Sequence, residues 1–306
     1  MNPHIFTCEP EWEAVVADEL CRVFRSSTAT TVGDGWVAVE SDRGGLPARP
    51  FVAFGSQCLP DARSIDAGSI AAWVQVVGPQ IVDGLRDHSG PWRLHVFGVY
   101  RVRGEIGRPR AALIERGLVE FLKKKQRRLL RLRIAGVGLF GNNEALVQVG
   151  LVKKSSGFLS IAGPETLLQM RGCVSPFCGG IVDIPPDRRA PSRAFAKLLE
   201  AKIRIGRRIE AGESCVDLGS SPGSWAYVAL QRGAKVVAVD RSPRRADLMR
   251  HPSLAFVRGD AFRFEPQEPA DWLLCDVIAY PDRVFELIKR WIEQKWCRQF
   301  CVTIKF

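Results

Sequence analysis

215-CVDLGSSPGSWAYVALQRGAKVVAVDRSP-243 reads as a strand, a tight glycine turn, a helix and a second strand that ends in an acid. The strands CVDLG (215–219) and VVAVD (236–240) are short and almost unbroken in apolar character, as strands covered on both faces are. Three more of this kind follow: AFVRG (255–259), DWLLCD (271–276) and FCVTIK (300–305), the last carrying one lysine. Helical segments separate them, preceded by SRAFAKLLEAKIRIGRRIEA (192–211), in which Phe195, Leu198 and Leu199 share a face. The alternation predicts an α/β domain over 192–306 with a Rossmann-like, doubly wound parallel sheet.

Such sheets bind ligands at the carboxyl ends of their strands, where the strand order reverses. Asp217-Leu218-Gly219-Ser220-Ser221-Pro222-Gly223-Ser224-Trp225 departs from the dinucleotide fingerprint G-x-G-x-x-G, which lays backbone against a pyrophosphate. Here an acid precedes the first glycine and a proline precedes the second. An acid beside the turn repels a pyrophosphate and attracts a cationic amino group. Asp240, 21 residues after Gly219, suits the two hydroxyls of a ribose, and Asp260, after the third strand, can accept from an adenine amino group. A cationic head, a ribose and an adenine without phosphate describe S-adenosyl-L-methionine. The candidate cofactor residues are Asp217, Gly219, Ser221, Pro222, Gly223, Ser224, Trp225, Asp240, Asp260 and Asp276. A Rossmann-like domain that holds another nucleotide, or none, is the alternative at this point.

The net charge of +11 is concentrated. Arg101 to Arg133 holds twelve Lys/Arg against three Glu, and Arg188 to Arg208 holds eight against one, so the rest of the chain is net acidic. Basic segments on an acidic body point to a polyanion partner. KKKQRRLLRLR (123–133) has seven cations in eleven residues, making Lys123, Lys124, Lys125, Arg127, Arg128 and Arg131, with Arg193, the candidate RNA contacts. A solvated helix face is the plainer reading of the same charges. Nine cysteines, several within strands, read as reduced thiols, and no His/Cys spacing suits zinc, so no metal is expected. No apolar run approaches the length of a membrane span, and the acidic N-terminal stretch is unlike a signal peptide, so a cytoplasmic protein with no membrane partner is expected.

Upstream, residues 1–162 alternate strands and helices as an α+β layer. Strands are expected at 4–8, at 30–40 with a turn at Gly33–Gly35, at 51–58 and at 92–100, with a hairpin of 145–154 and 157–162. Helices are expected at 11–24, at 69–85 with an interruption at Gly78-Pro79, and at 112–133. Residues 163–191, rich in Pro and Gly, read as a linker.

DLGSSPGSW (217–225), VVAVD, LLCDV (273–277) and TIK (303–305) resemble, in order, the motifs of the FtsJ-like RNA ribose 2′-O-methyltransferases. Within them the likeness is to the branch that acts on large-subunit (23S) ribosomal RNA. PSRAFAKLLEA (191–201) is similar to the segment carrying that family's first catalytic lysine. FTCEPEWEAVVADEL (6–20) and 145–162 resemble parts of its N-terminal region, the second the end of a THUMP-type, ferredoxin-like RNA-binding domain. Two departures stand out: the family's serine three residues before the first lysine is Ala194, and the second glycine of its PGG is Ser224.

The resemblance implies methyl transfer to a ribose 2′-hydroxyl. Lys305 would accept the proton, Asp276 would orient it, and Lys197 would supply a second cation and position the ribose. A free amine titrates too high to act as a base at neutral pH unless burial and a neighbouring cation disfavour its charged form. The family's fourth catalytic residue, a glutamate on a later strand, has no counterpart here. The sheet is therefore expected to be truncated after its fifth strand, leaving an apolar edge. That leaves a second reading: an RNA-binding protein that keeps the methyltransferase fold with impaired turnover.

Overall fold

The computed structural model describes residues 2–26, 28–40, 47, 49–98, 108–136, 138–242 and 245–306. The chain divides into two units, 1–182 and 183–306.

The first unit runs β1 (His4–Thr7), α1 (Glu13–Phe24), β2 (Ala29–Gly33), β3 (Trp36–Val39), β4 (Gln57–Leu59), β5 (Arg63–Asp66), α2 (Ile70–Gly84), β6 (Trp92–Gly98), α3 (Arg108–Lys125), α4 (Arg127–Leu132), β7 (Ala145–Leu151), β8 (Ser156–Ala162) and α5 (Pro164–Gln169). One antiparallel sheet has the order β2-β3-β1-β4; a second has the order β5-β8-β7-β6, with β6 and β7 parallel. Helices α2 and α3 close over the second sheet, burying Trp73, Val77, Ile81, Ile114, Leu118 and Leu122 at helical spacing.

Several elements differ from expectation, each because of a tertiary partner. The turn expected at Gly33–Gly35 is present and joins β2 to β3 as a hairpin, whereas the strand expected at 51–58 is confined to β4. The Ala53 and Phe54 amides donate to the Glu19 carboxylate on α1, so a side chain takes the place of a strand neighbour. Helix α2 runs unbroken through Pro79, while Gly78 leaves room for the Phe121 ring, which would lie 2.7 Å from an added Cβ. The basic helix breaks at Gln126 (φ −149°, ψ 67°), and α4 turns so that the Leu129 carbonyl accepts from Trp92 Nε1 at 2.8 Å. The segment expected as a linker contributes α5 and the buried Met170, Val174 and Phe177 to this unit as far as residue 182. Residues 99–107, the end of the strand expected at 92–100 and the start of the basic segment, lie outside the described residues.

The second unit runs α6 (Phe195–Ile205), β9 (Ser214–Leu218), α7 (Ser224–Gln231), β10 (Lys235–Asp240), α8 (Ala246–Met249), β11 (Leu254–Arg258), β12 (Ala270–Cys275), α9 (Pro281–Glu293) and β13 (Cys297–Val302). All five strands are parallel, in the order β11-β10-β9-β12-β13. The order reverses between β9 and β12, so Asp217 and Asp276 flank the switch point. Helix α9 presents Val284, Leu287 and Trp291 to the sheet, and α7 is buried from Ser224 to Leu230. The last strand ends at Val302, so Lys305 lies three residues past it and not within a strand as expected. Among the described residues no helix is long and apolar enough to cross a membrane.

Candidate active site

The turn after β9 is shaped by two glycines in the left-handed region, Gly219 (φ 69°) and Gly223 (φ 107°), the second capping α7. A side chain at Gly219 would strike Val277, the residue after Asp276, so the turn and the β12 exit lie in contact. Asp217 is 1% exposed and points inward. Its Oδ2 accepts from Ser220 Oγ and, at 3.0 Å, from the Ala226 amide in the first turn of α7. A carboxylate there satisfies a helix-end donor and suits the positive end of the helix. The acid expected to draw a cationic amino group is thus engaged in holding the turn.

Ser224 and Trp225 are likewise buried, and both reach towards the segment before α6. Ser224 Oγ lies 2.7 Å from Ser192 Oγ, and Trp225 Nε1 donates to the Ala194 carbonyl at 2.9 Å. The glycine turn is therefore clasped to the start of the helix that carries Lys197. Sequence reading singled out neither Ser192 nor Ser220, and did not foresee that Ala194 acts through its carbonyl. Only the short distance between these loops in the fold reveals them.

Asp240 remains partly open to a ligand. Its Oδ2 accepts from the Ser221 amide at 2.9 Å and its Oδ1 from the Ser242 amide at 2.8 Å. Each carboxylate oxygen has a further acceptor site, as two ribose hydroxyls require. Asp260 receives the Phe262 amide at 2.9 Å and Arg241 at 2.5 Å. The Phe262 amide, with help from Arg241, holds its carboxyl below the usual range, so it is an anionic acceptor at neutral pH. The residues left open fit an adenosine without phosphates: Asp240 ends β10, Asp260 follows β11, and the turn carries no cation.

Lys197, Asp276 and Lys305 converge. Lys197 Nζ lies 3.0 Å from both oxygens of Asp276, and Lys305 Nζ lies 3.2 Å from Oδ1. Lys305 Nζ also donates to the carbonyls of Val277 at 3.0 Å and Asp276 at 3.3 Å. Two lysines from distant parts of the chain thus share one carboxylate beside the turn. The carboxylate oxygen and the two carbonyls give the Lys305 nitrogen three acceptors, which fix where it points.

Of the candidate RNA contacts, Lys123, Lys124, Lys125, Arg127 and Arg131 are exposed on α3 and α4, and Arg193 is exposed ahead of α6. Arg128 is engaged otherwise: its guanidinium donates to the carbonyls of Leu85, Arg86 and His88 beyond α2. Those are carbonyls at and just past a helix end, and a cation is their usual partner. Among the described residues, no group of three or more His, Cys, Asp or Glu is placed to hold a metal ion.

The model of the FtsJ-like methyltransferase family matches residues 190–289. The ribosomal RNA large subunit methyltransferase M of Laribacter hongkongensis is 33% identical over 280 residues, covering 89% of this chain and 73% of its own. The protein of that name from Alkalilimnicola ehrlichii is 28% identical over 325 residues, covering 98% of this chain and 82% of its own. That from Halorhodospira halophila is 38% identical over 129 residues, 41% of this chain and 38% of its own.

Proposed function

This chain belongs to the ribosomal RNA large subunit methyltransferase M family, and from that membership we propose how its residues methylate a ribose 2′-hydroxyl of large-subunit ribosomal RNA. It is an S-adenosyl-L-methionine-dependent ribosomal RNA methyltransferase whose ribose 2′-O specificity follows the family. The observation that carries the residue assignment is the convergence of Lys197 and Lys305 on Asp276 beside the glycine turn.

Bound at that turn, S-adenosyl-L-methionine supplies an electrophilic methyl group. Asp240 and Asp260 hold its ribose and adenine, Gly219 to Gly223 let the backbone approach closely, and Asp217, Ser224 and Trp225 keep the turn in shape. Lys305 takes the proton of the 2′-hydroxyl as the oxygen attacks. The Val277 and Asp276 carbonyls aim its nitrogen, and Asp276 steadies it through the carboxylate. Lys197 sets a second positive charge at the ribose and positions it, sharing Asp276 with Lys305. Proton transfer by a positioned base is worth about 10²–10⁴-fold in rate.

The first unit is read as a THUMP-like RNA-binding region that docks the substrate through α3 and α4, within the cytoplasm. Phosphate contacts from such a face give affinity without sequence choice. Reversing the charges of Lys124, Lys125, Arg127 and Arg131 is expected to weaken binding of a ribosomal RNA fragment by at least about tenfold at moderate salt and to flatten its salt dependence. Arg128 is left intact because its loss would also uncap α2. Unchanged affinity in filter binding would remove the docking role.

The reading as a whole is tested by incubating the protein with labelled S-adenosyl-L-methionine and unmodified large-subunit ribosomal RNA. Label is expected in alkali-resistant dinucleotides, the signature of 2′-O-methylation. Label on a base would sink the ribose assignment. RNA binding with no label at all would return the reading of an RNA-binding protein with impaired turnover.

A further inference from the structure

On the same helix as Lys197, but at its other end, Lys202 is 6% exposed and its Nζ has no hydrogen-bond partner. The two lysines are five residues apart, about 7.5 Å along the axis and on different faces. Lys202 borders a cavity of about 660 Å³ together with Arg207, Arg208 and Arg232. Burial first, then the charges of Arg232 and Arg208, push the Lys202 ammonium down to about 8. A buried ammonium without an acceptor is costly, and three guanidinium groups at the same cavity raise that cost.

Two acids also border the cavity, Asp183 and Glu210. Glu210 pairs with Arg208 at 2.9 Å on the exposed side. Four cations against two acids leave two positive charges, the complement of a phosphate monoester at neutral pH. The remaining wall includes Pro185, Leu199 and Ile203. Room of this size and a partly apolar wall suit a body as large as a nucleotide. The basic run from Arg188 to Arg208 thus holds two kinds of cation, those turned to solvent and one withdrawn from it.

We propose that this cavity is a phosphate site, in which a phosphate group is received by Lys202 and Arg232 with Arg207 and Arg208 at its mouth. A phosphate supplies the acceptor that Lys202 lacks, and the guanidinium groups can take its other oxygens in pairs. The shared chemistry is a phosphate ester, carried either by a nucleotide of the RNA strand or by a free nucleotide-like ligand. The site itself does not depend on the residue roles proposed for methyl transfer; only the RNA arm of its test presumes an RNA substrate.

The test is calorimetric titration of the full chain with inorganic phosphate at constant ionic strength, with chloride as the reference. Phosphate is expected to bind the wild type, and Lys202→Met and Arg232→Gln are each expected to lose about tenfold or more in affinity. Lys202→Met fills the same volume without a buried charge, and circular dichroism checks that both variants fold. In the second arm, a single-stranded ribosomal RNA fragment is titrated into the same proteins. Weakened RNA binding in the variants, with competition by phosphate, assigns the site to the RNA strand. Weakened phosphate binding with unchanged RNA affinity assigns it to a free phosphate ester. Equal heats for phosphate and chloride, or phosphate binding in both variants as in the wild type, would overturn the proposal.

Discussion

Lys305→Met is expected to lower methyl transfer by about 10²–10⁴-fold while leaving S-adenosyl-L-methionine affinity unchanged. Methionine keeps the length of the side chain and removes the nitrogen that meets Asp276 Oδ1 and the carbonyls of Asp276 and Val277. Single-turnover incorporation into a ribosomal RNA fragment measures the chemical step, and calorimetry measures the cofactor. Lys305→Arg makes the experiment specific. A guanidinium retains the positive charge and the ion pair but does not give up its proton in proteins. If Lys305 acts as the base, the arginine variant is as slow as the methionine variant. Recovery of most of the rate by arginine would show that only the charge matters, and the base would have to be sought elsewhere.

Asp276→Ala is expected to be nearly as severe, with a loss on the order of 10²–10³-fold, for a different reason. Asp276 is the shared partner of both lysines, and its removal leaves two cations close together without an anion. The lysines then repel each other and swing apart, so the loss is one of geometry. Residues that act as a unit give non-additive losses. The double variant Asp276→Ala/Lys305→Met should therefore be little slower than the slower single variant. Rates that multiply across the two substitutions would show that the carboxylate and the amine work independently, which the geometry does not support.

The second unit was open to reading because its signals are local. Short apolar strands between helices impose a parallel sheet, and acids at or just past the carboxyl ends of β9, β10, β11 and β12 fall on one edge whatever the loops do. Lys305 and Lys197 could be brought together only through a resemblance, since no period or spacing links residues more than a hundred positions apart. What escaped depends on partners distant in the chain. Helix α2 survives Gly78-Pro79 with the Phe121 ring of α3 seated over the glycine. Residues 51–56 form no strand of their own, and Glu19 takes two of their amides. Arg128 belongs to a basic run by composition, yet the end of α2 takes its donors. Asp217 and Trp225 sit in a ligand-binding motif, yet both face inward. Lys202 reads in the sequence as one more solvated cation.

The link from Ser224 and Trp225 to Ser192 and Ala194 gives the two substrates a common lever. The backbone that would receive one of them is fastened to the lead-in of the helix whose ammonium would meet the other. Reciprocity then governs the pair: by whatever factor docked nucleic acid changes the affinity for the methyl donor, the donor must change the affinity for the nucleic acid by the same factor.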